Sequence, residues 1–294
     1  MGSASITIRL SGPLDLARTL AGTRPARVAA PGTWRATRTP VGPGTERLWL
    51  EGDRLRVEAW GPGAEWLCAN AANLVGEDRP ESGFEPRHPL LTELQRRYQG
   101  VRIPRTAAVL EAAVPSILEQ KVIGLQARQA YRRLLAELGE AAPGPFPLRL
   151  PPAPAVLAAT PYWVFHPWGV EQRRAETVIR AARHASRLEE TVAMAPAQAH
   201  RRLTALPGIG AWTAAEIAVV ALGDADAVSV GDFHLPNLVS WALAGEPRGT
   251  DERMLELLEP YRGQRARAVQ LLELSGVSAP RRGPRLALSR IAEI

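Results

Sequence analysis

Apolar and polar residues alternate through much of the first 60 positions, and the spacing changes to three or four residues from about position 85 onward. Alternation marks a strand with one buried face, and the longer period marks an amphipathic helix. Residues 5–10, 47–51 and 54–60 alternate, and Gly52-Asp53 between the last two reads as a tight hairpin turn. Residues 33–39 form a further expected strand. Residues 14–20, capped by Ser11, and 65–74 are short expected helices. Helical spacing then covers 88–99, 106–114, 115–138, 155–159, 171–188, 191–205, 235–243, 251–258 and 264–274, interrupted by a proline-rich loop at 141–154. The pattern predicts a small antiparallel β-rich subdomain at 1–84 and a helical core at 85–294. No internal repeat is visible.

Between two of the helices lies Leu206-Pro207-Gly208-Ile209-Gly210-Ala211-Trp212-Thr213. Pro207 lacks an N–H and stops the incoming helix. Gly208 and Gly210 supply bends and let a backbone approach closely. Helical spacing resumes at 212–222, so Gly210 and its neighbours present bare N–H groups at a new helix N-terminus, a ready site for a phosphate. Nineteen residues past Thr213 stands Asp232, in Val230-Gly231-Asp232-Phe233-His234, after an apolar approach and just before a helix. By position alone it is an N-cap. Beside bound DNA the same carboxylate has a further use, because it stabilises positive charge developing on a sugar or orients water toward the sugar carbon. The two roles are compatible.

A formal net charge of +6 fits a polyanionic partner. Of 36 Lys and Arg residues only Lys121 is lysine, a bias that GC-rich codon usage explains. The single cysteine, Cys68, excludes an intramolecular disulfide, a four-cysteine zinc site and a cysteine-ligated iron–sulfur cluster. No apolar run approaches 18 residues and no signal peptide is evident, so a cytoplasmic, nucleoid-associated protein with no membrane contact is expected. A basic tail runs from 279 to 284, with Arg281, Arg282 and nearby Arg285.

Taken together, Leu206-Pro207-Gly208-Ile209-Gly210-x-Trp212-Thr213-Ala214 and the spaced Val230-Gly231-Asp232-x-His234 resemble the helix-hairpin-helix, Gly/Pro-loop, Asp superfamily of DNA glycosylases. Within it the chain is most similar to 3-methyladenine DNA glycosylase II, the AlkA type. The resemblance reaches back through Ile117-Leu118-Glu119-Gln120-Lys121-Val122, Trp168-Gly169-Val170 and Arg174-Ala175-Glu176, and covers about residues 85–275. It implies a mainly α glycosylase core carrying an N-terminal antiparallel sheet, α+β overall, acting as a monomer on double-stranded DNA that contains a damaged base. The hairpin alone is less specific, since DNA ligases and repair nucleases carry it without this catalysis.

The resemblance implies roles for matching positions. Asp232 would be the catalytic carboxylate. Gly208, Ile209, Gly210 and Thr213 would hold DNA through the hairpin, with Gln120, Lys121 and His234 as further DNA contacts. The backbone carbonyls of Thr204, Leu206 and Ile209 would ligate a structural sodium or potassium ion, with no other cofactor. Trp212 falls where bifunctional relatives place a Schiff-base lysine. Tryptophan cannot form an imine, so base removal without strand cleavage is expected. Glu119-Gln120-Lys121 matches the loop that fills the gap left by a flipped base, and Lys121 departs from the apolar wedge of AlkA-type enzymes. Trp212, Glu216, Trp163 and His166 are the candidate base contacts, the aromatic ones suited to a cationic alkylated base. Two departures bear on substrate. Glu216 replaces an aromatic, and Arg267-Ala268-Val269-Gln270 stands where another tryptophan is expected. The expected reaction is hydrolytic excision of 3-methyladenine- or 7-methylguanine-type bases in base excision repair. Alternatives are a glycosylase for oxidised or deaminated bases, and a non-catalytic DNA-binding or damage-sensing protein.

Overall fold

The computed structural model describes residues 2–23, 26–29, 32–78 and 84–280. Arg281, Arg282 and Arg285 of the basic tail lie outside these residues.

The N-terminal third is a five-stranded antiparallel sheet. Its strands are β1 (Ser3–Arg9), β2 (Ala26–Val28), β3 (Thr33–Thr39), β4 (Gly42–Glu51) and β5 (Arg54–Trp60), in spatial order β1-β5-β4-β3-β2. The turn at Gly52-Asp53 fixes the register, pairing Glu51 with Arg54 and Leu50 with Leu55. Alternation then sends Leu48, Leu55, Val57 and Ala59 to one face, where they pack on α2 (Ala64–Leu74) through Leu67, Ala71 and Leu74. The short α1 (Leu16–Thr19) is capped by Asp15, which accepts the Arg18 N–H, rather than by Ser11. The Ser11 N–H is instead donated to Glu77.

The rest of the chain is helical and holds two hydrophobic clusters. The first is built on α4 (Val109–Leu118), α5 (Gly124–Leu138), α6 (Pro154–Ala159), α7 (Gln172–Arg183), α8 (Ala185–Glu189), α9 (Pro196–Thr204) and α10 (Ala211–Ile217). The second joins α3 (Pro89–Arg97), α11 (Leu235–Ala244), α12 (Asp251–Leu258) and α13 (Arg265–Ser275). The expected 141–154 loop carries a two-residue ladder, β6 (Glu140–Ala141) with β7 (Arg149–Leu150).

One helix boundary differs from expectation and matters for the site. The spacing predicts a break at Pro115 and a continuous helix over 115–138, whereas Pro115 lies inside α4 and the break falls at 119–123. A proline removes one helical hydrogen bond. Next to it, the Ser116 hydroxyl donates to the Ala112 carbonyl. The true interruption comes where Lys121 adopts φ 54°, a left-handed conformation that a side chain with a Cβ disfavours. At the other end of α4, Ala107 has φ 52° and is held there because the Thr106 and Ala107 N–H groups donate to the Val220 and Ala221 carbonyls. Glu189 caps α4 from outside, accepting the Val109 and Leu110 N–H groups, each at 2.9 Å.

Candidate active site

The hairpin forms where α9 stops and α10 begins. Leu206 and Ile209 are buried and anchor it in the first cluster, and the Ile209 N–H closes the turn on the Leu206 carbonyl. Gly208 has φ 98°, and a Cβ there would meet the Thr177 hydroxyl oxygen at 2.4 Å. Both backbone angle and space therefore require glycine. A Cβ on Gly210 would meet nothing within 4 Å, so the entry to α10 is open at Gly210 and the exposed Ala211. Two long side chains hold the turn from behind. Arg180 donates to the Pro207 carbonyl at 2.8 Å, and the Gln120 amide donates to the Gly208 carbonyl (2.9 Å) and the Thr213 hydroxyl (2.8 Å). The Leu206 carbonyl, which accepts the Ile209 N–H, keeps a second lone pair just past the C-terminus of α9.

Gln120 thus couples the hairpin to the turn after α4. Buried Arg174 fixes that turn by donating to the Leu118 carbonyl at 2.8 Å. Lys121 stands exposed beyond it on its left-handed backbone. Of the residues the resemblance singled out, the structure joins Gln120 directly to Gly208 and Thr213 of the hairpin, with Lys121 next to Gln120 in the chain.

Asp232 sits at the start of α11, and its two oxygens do different things. One accepts the His234 and Leu235 N–H groups, both at 2.7 Å, so Asp232 covers the N-terminus of α11 from two residues before its N-cap, His234. The other accepts the Trp212 indole N–H at 2.9 Å. Trp212 therefore holds the carboxylate in place from α10, twenty residues away in sequence. Asp232 forms no ion pair among the described residues. Phe233, which follows it, is 73% exposed and meets His234 edge-on, ring centroids 4.9 Å apart.

Two carboxyls, Glu216 and Glu273, feel the charge of Asp232. Glu216, one turn beyond Trp212, accepts a short hydrogen bond from the Ser229 hydroxyl and lines a small cavity of about 140 Å3 with Glu119, Pro115 and Ser116. Burial pushes the Glu216 carboxyl up and the charges of Glu119 and Asp232 push it further, against the Ser229 bond that lowers it. Glu273 on α13 is an exposed residue whose carboxyl feels the charges of Glu216 and Asp232. Desolvation of that carboxyl raises it to about 7, with those charges adding to the effect. The positions where a tryptophan was expected, Arg267 to Gln270, serve another purpose. Buried Arg267 donates to the Val101 carbonyl and Gln270 donates to that of Arg102, tying α13 to the segment before α4. Glu273, one turn after Gln270, supplies the side chain that senses Asp232, and the reading of the sequence passed over it. Its signal was an acid inside the apolar run Leu271-Leu272-Glu273-Leu274.

The aromatic segment Tyr162–Trp168 packs chiefly against α7 and α5 and divides into two kinds of residue. Phe165 and Trp168 are core, and the Trp168 indole donates to Glu137 at 2.7 Å. Trp163 is 63% exposed and meets Tyr162 edge-on; His166 is half-buried.

By sequence, no protein-family model and no curated protein matches the chain. By structure the likeness is extensive. A 3-methyladenine DNA glycosylase from Archaeoglobus fulgidus superposes with a TM-score of 0.78 at 19% identity, covering 92% of this chain and 97% of that one. An 8-oxoguanine glycosylase/lyase from Clostridium acetobutylicum gives 0.69 at 15% identity, covering 92% and 95%. A 3-methyladenine DNA glycosylase from Schizosaccharomyces pombe, in complex with abasic DNA, gives 0.55 at 20% identity, covering 68% and 97%. With its five-stranded N-terminal sheet, helical core and glycine-rich hairpin, the chain has the fold of the helix-hairpin-helix DNA glycosylases.

Proposed function

We propose that the protein is a monofunctional DNA glycosylase that flips a damaged base out of duplex DNA and hydrolyses its N-glycosidic bond. The observation that carries this reading is the double hold on Asp232, by the α11 amides on one oxygen and the Trp212 indole on the other. A carboxylate fixed in this way, beside an open helix N-terminus suited to phosphate, is arranged to stabilise an oxocarbenium-like sugar and to orient water. The hairpin N–H groups of Gly208, Gly210 and Thr213 hold the backbone, the Thr204, Leu206 and Ile209 carbonyls hold a sodium or potassium ion, and Lys121 fills the gap left by the flipped base. Trp212 occupies the lysine position of bifunctional relatives, so no imine forms and the product is an abasic site.

Glu216 and Glu273 favour cationic substrates. An alkylated purine carries positive charge and is already a good leaving group, so the site needs no strong general acid. Carboxyls around the base stabilise that charge where AlkA-type enzymes use aromatic rings. Incubation with methylated duplex DNA is expected to release free 3-methyladenine or 7-methylguanine without nicking, at least tenfold faster than base release from an 8-oxoguanine duplex. Asp232→Asn is expected to abolish release and to leave duplex binding nearly intact. An unchanged rate in that variant would overturn the assignment of Asp232. Release of 8-oxoguanine alone would transfer the reading to oxidised bases.

A further inference from the structure

A second, larger cavity lies away from Asp232. Its volume is about 800 Å3, and it opens between the β3–β4 turn and α2 on one side and α4, α6 and α8 on the other. That volume, and a place between a sheet unit and a helical unit, are those of small-molecule sites in general. Trp66, Leu110, Val114 and Leu157 give it apolar walls, and two carboxylates, Glu111 and Glu189, stand in them.

Both carboxylates are rigidly placed and neither hydrogen bond set neutralises its charge. Glu189 accepts the Val109 and Leu110 N–H groups, and Glu111 accepts the Thr37 hydroxyl and the Arg38 N–H, both at 2.7 Å. All four donors are uncharged. Each carboxylate oxygen keeps a lone pair for another donor. The cation in the wall, Arg38, is already committed to the Pro151 carbonyl at 2.7 Å and to Glu140. Burial raises both carboxyls, Glu111 to about 7; at Glu111 the Arg38 and Thr37 hydrogen bonds and the charge of Arg35, itself paired with buried Glu46, oppose the rise, and the Glu189 charge adds to it. Two acids near each other in an apolar wall are stabilised by a positive charge placed beside them.

We propose that this cavity binds an amphipathic organic cation of drug-like size, its apolar body against Trp66 and Leu157 and its protonated amine beside Glu111 and Glu189. The inference does not need the glycosylase reading, since none of these residues belongs to the hairpin or to α11 and only Glu111 is shared with the small cavity beside Glu216.

The test uses two fluorescent probes with the same apolar body and opposite charge: monodansylcadaverine, which ends in an ammonium, and dansyl-6-aminohexanoate, which ends in a carboxylate. Titrated with the full chain at about pH 7.5, dansyl emission is expected to rise and saturate for the ammonium probe, at roughly tenfold or greater affinity over the carboxylate probe. Glu111→Gln should weaken the ammonium probe about tenfold and leave the carboxylate probe no weaker. Ser186→Trp, a substitution at an exposed residue on the rim, should block both probes without lowering the thermal midpoint. The proposal is overturned if neither probe saturates, if both bind equally, if Ser186→Trp binds like the parent, or if Asp232→Asn loses the probe, which would place it in the other site.

Discussion

Position by position, the site turns on how one carboxylate is shared. Asp232, an N-cap by its sequence position, stands two residues before the actual N-cap, His234, yet one of its oxygens still accepts the first N–H groups of α11 while the other meets Trp212, and it is also the proposed catalytic group. Trp212 was legible as the residue that excludes imine chemistry, but not as the donor that orients Asp232, since no local pattern links an indole to a residue twenty positions later. The same limit explains Glu273, whose neighbours come from α10 and the loop before α11. Trp212→Phe keeps the apolar ring and removes the N–H. A hydrogen bond to a charged group contributes ~1.5–3 kcal/mol, so kcat for base release should fall roughly 10- to 100-fold with KM little changed. A single-turnover assay on methylated duplex checks this, and a rate within twofold of the parent would show that the indole does not position the carboxylate.

Among the elements, the hairpin was the most legible because its chemistry is local: a proline stop, glycines in a turn and a fresh helix N-terminus all follow from residue type. The helix before it was less so. Pro115 reads as a boundary, yet the chain continues through it and breaks at Lys121, where the constraint comes from Arg174 and Gln120 reaching across from or to other elements. Ser11 likewise lost its expected cap to Asp15, the acid nearer the helix. For the hairpin the clearest test is Gly208→Ala. The left-handed backbone and the contact with Thr177 together should destabilise by ~1–3 kcal/mol. Duplex affinity should drop more than the thermal midpoint does, because the turn that presents the α10 amides must shift. Chemical denaturation beside a duplex-binding titration separates the two effects, and an alanine variant with unaltered affinity would argue against the turn as a phosphate site.

For the molecule as a whole, a β-rich start followed by helices was legible from periodicity, and the fold comparison bears it out. That the helical part holds two hydrophobic clusters was not, since the amphipathic spacing of a helix says which face is buried and not against which partner. Two carboxyls raised to about 7, Glu111 beside the sheet and Glu273 near Glu216 and Asp232, give the protein a common pH response. Each binds its proton more tightly folded than unfolded, where a glutamate titrates near 4.3, so stability falls as pH rises from that value through about 7. Glu273→Gln removes the penalty. Its thermal midpoint should exceed the parent's by a margin that widens from pH 5 to pH 8, and a margin independent of pH would mean that Glu273 titrates normally. The two clusters have a further consequence. Trp212 stands on a helix rooted in one of them, while Asp232 caps a helix rooted in the other. The indole–carboxylate bond therefore acts as a latch across the seam, and any breathing of the two halves is felt first at that bond. Displacement by about an ångström is enough to cost a well-oriented reaction a hundredfold, so rigid seating of the seam, rather than global stability, sets the temperature at which such a site would fall silent.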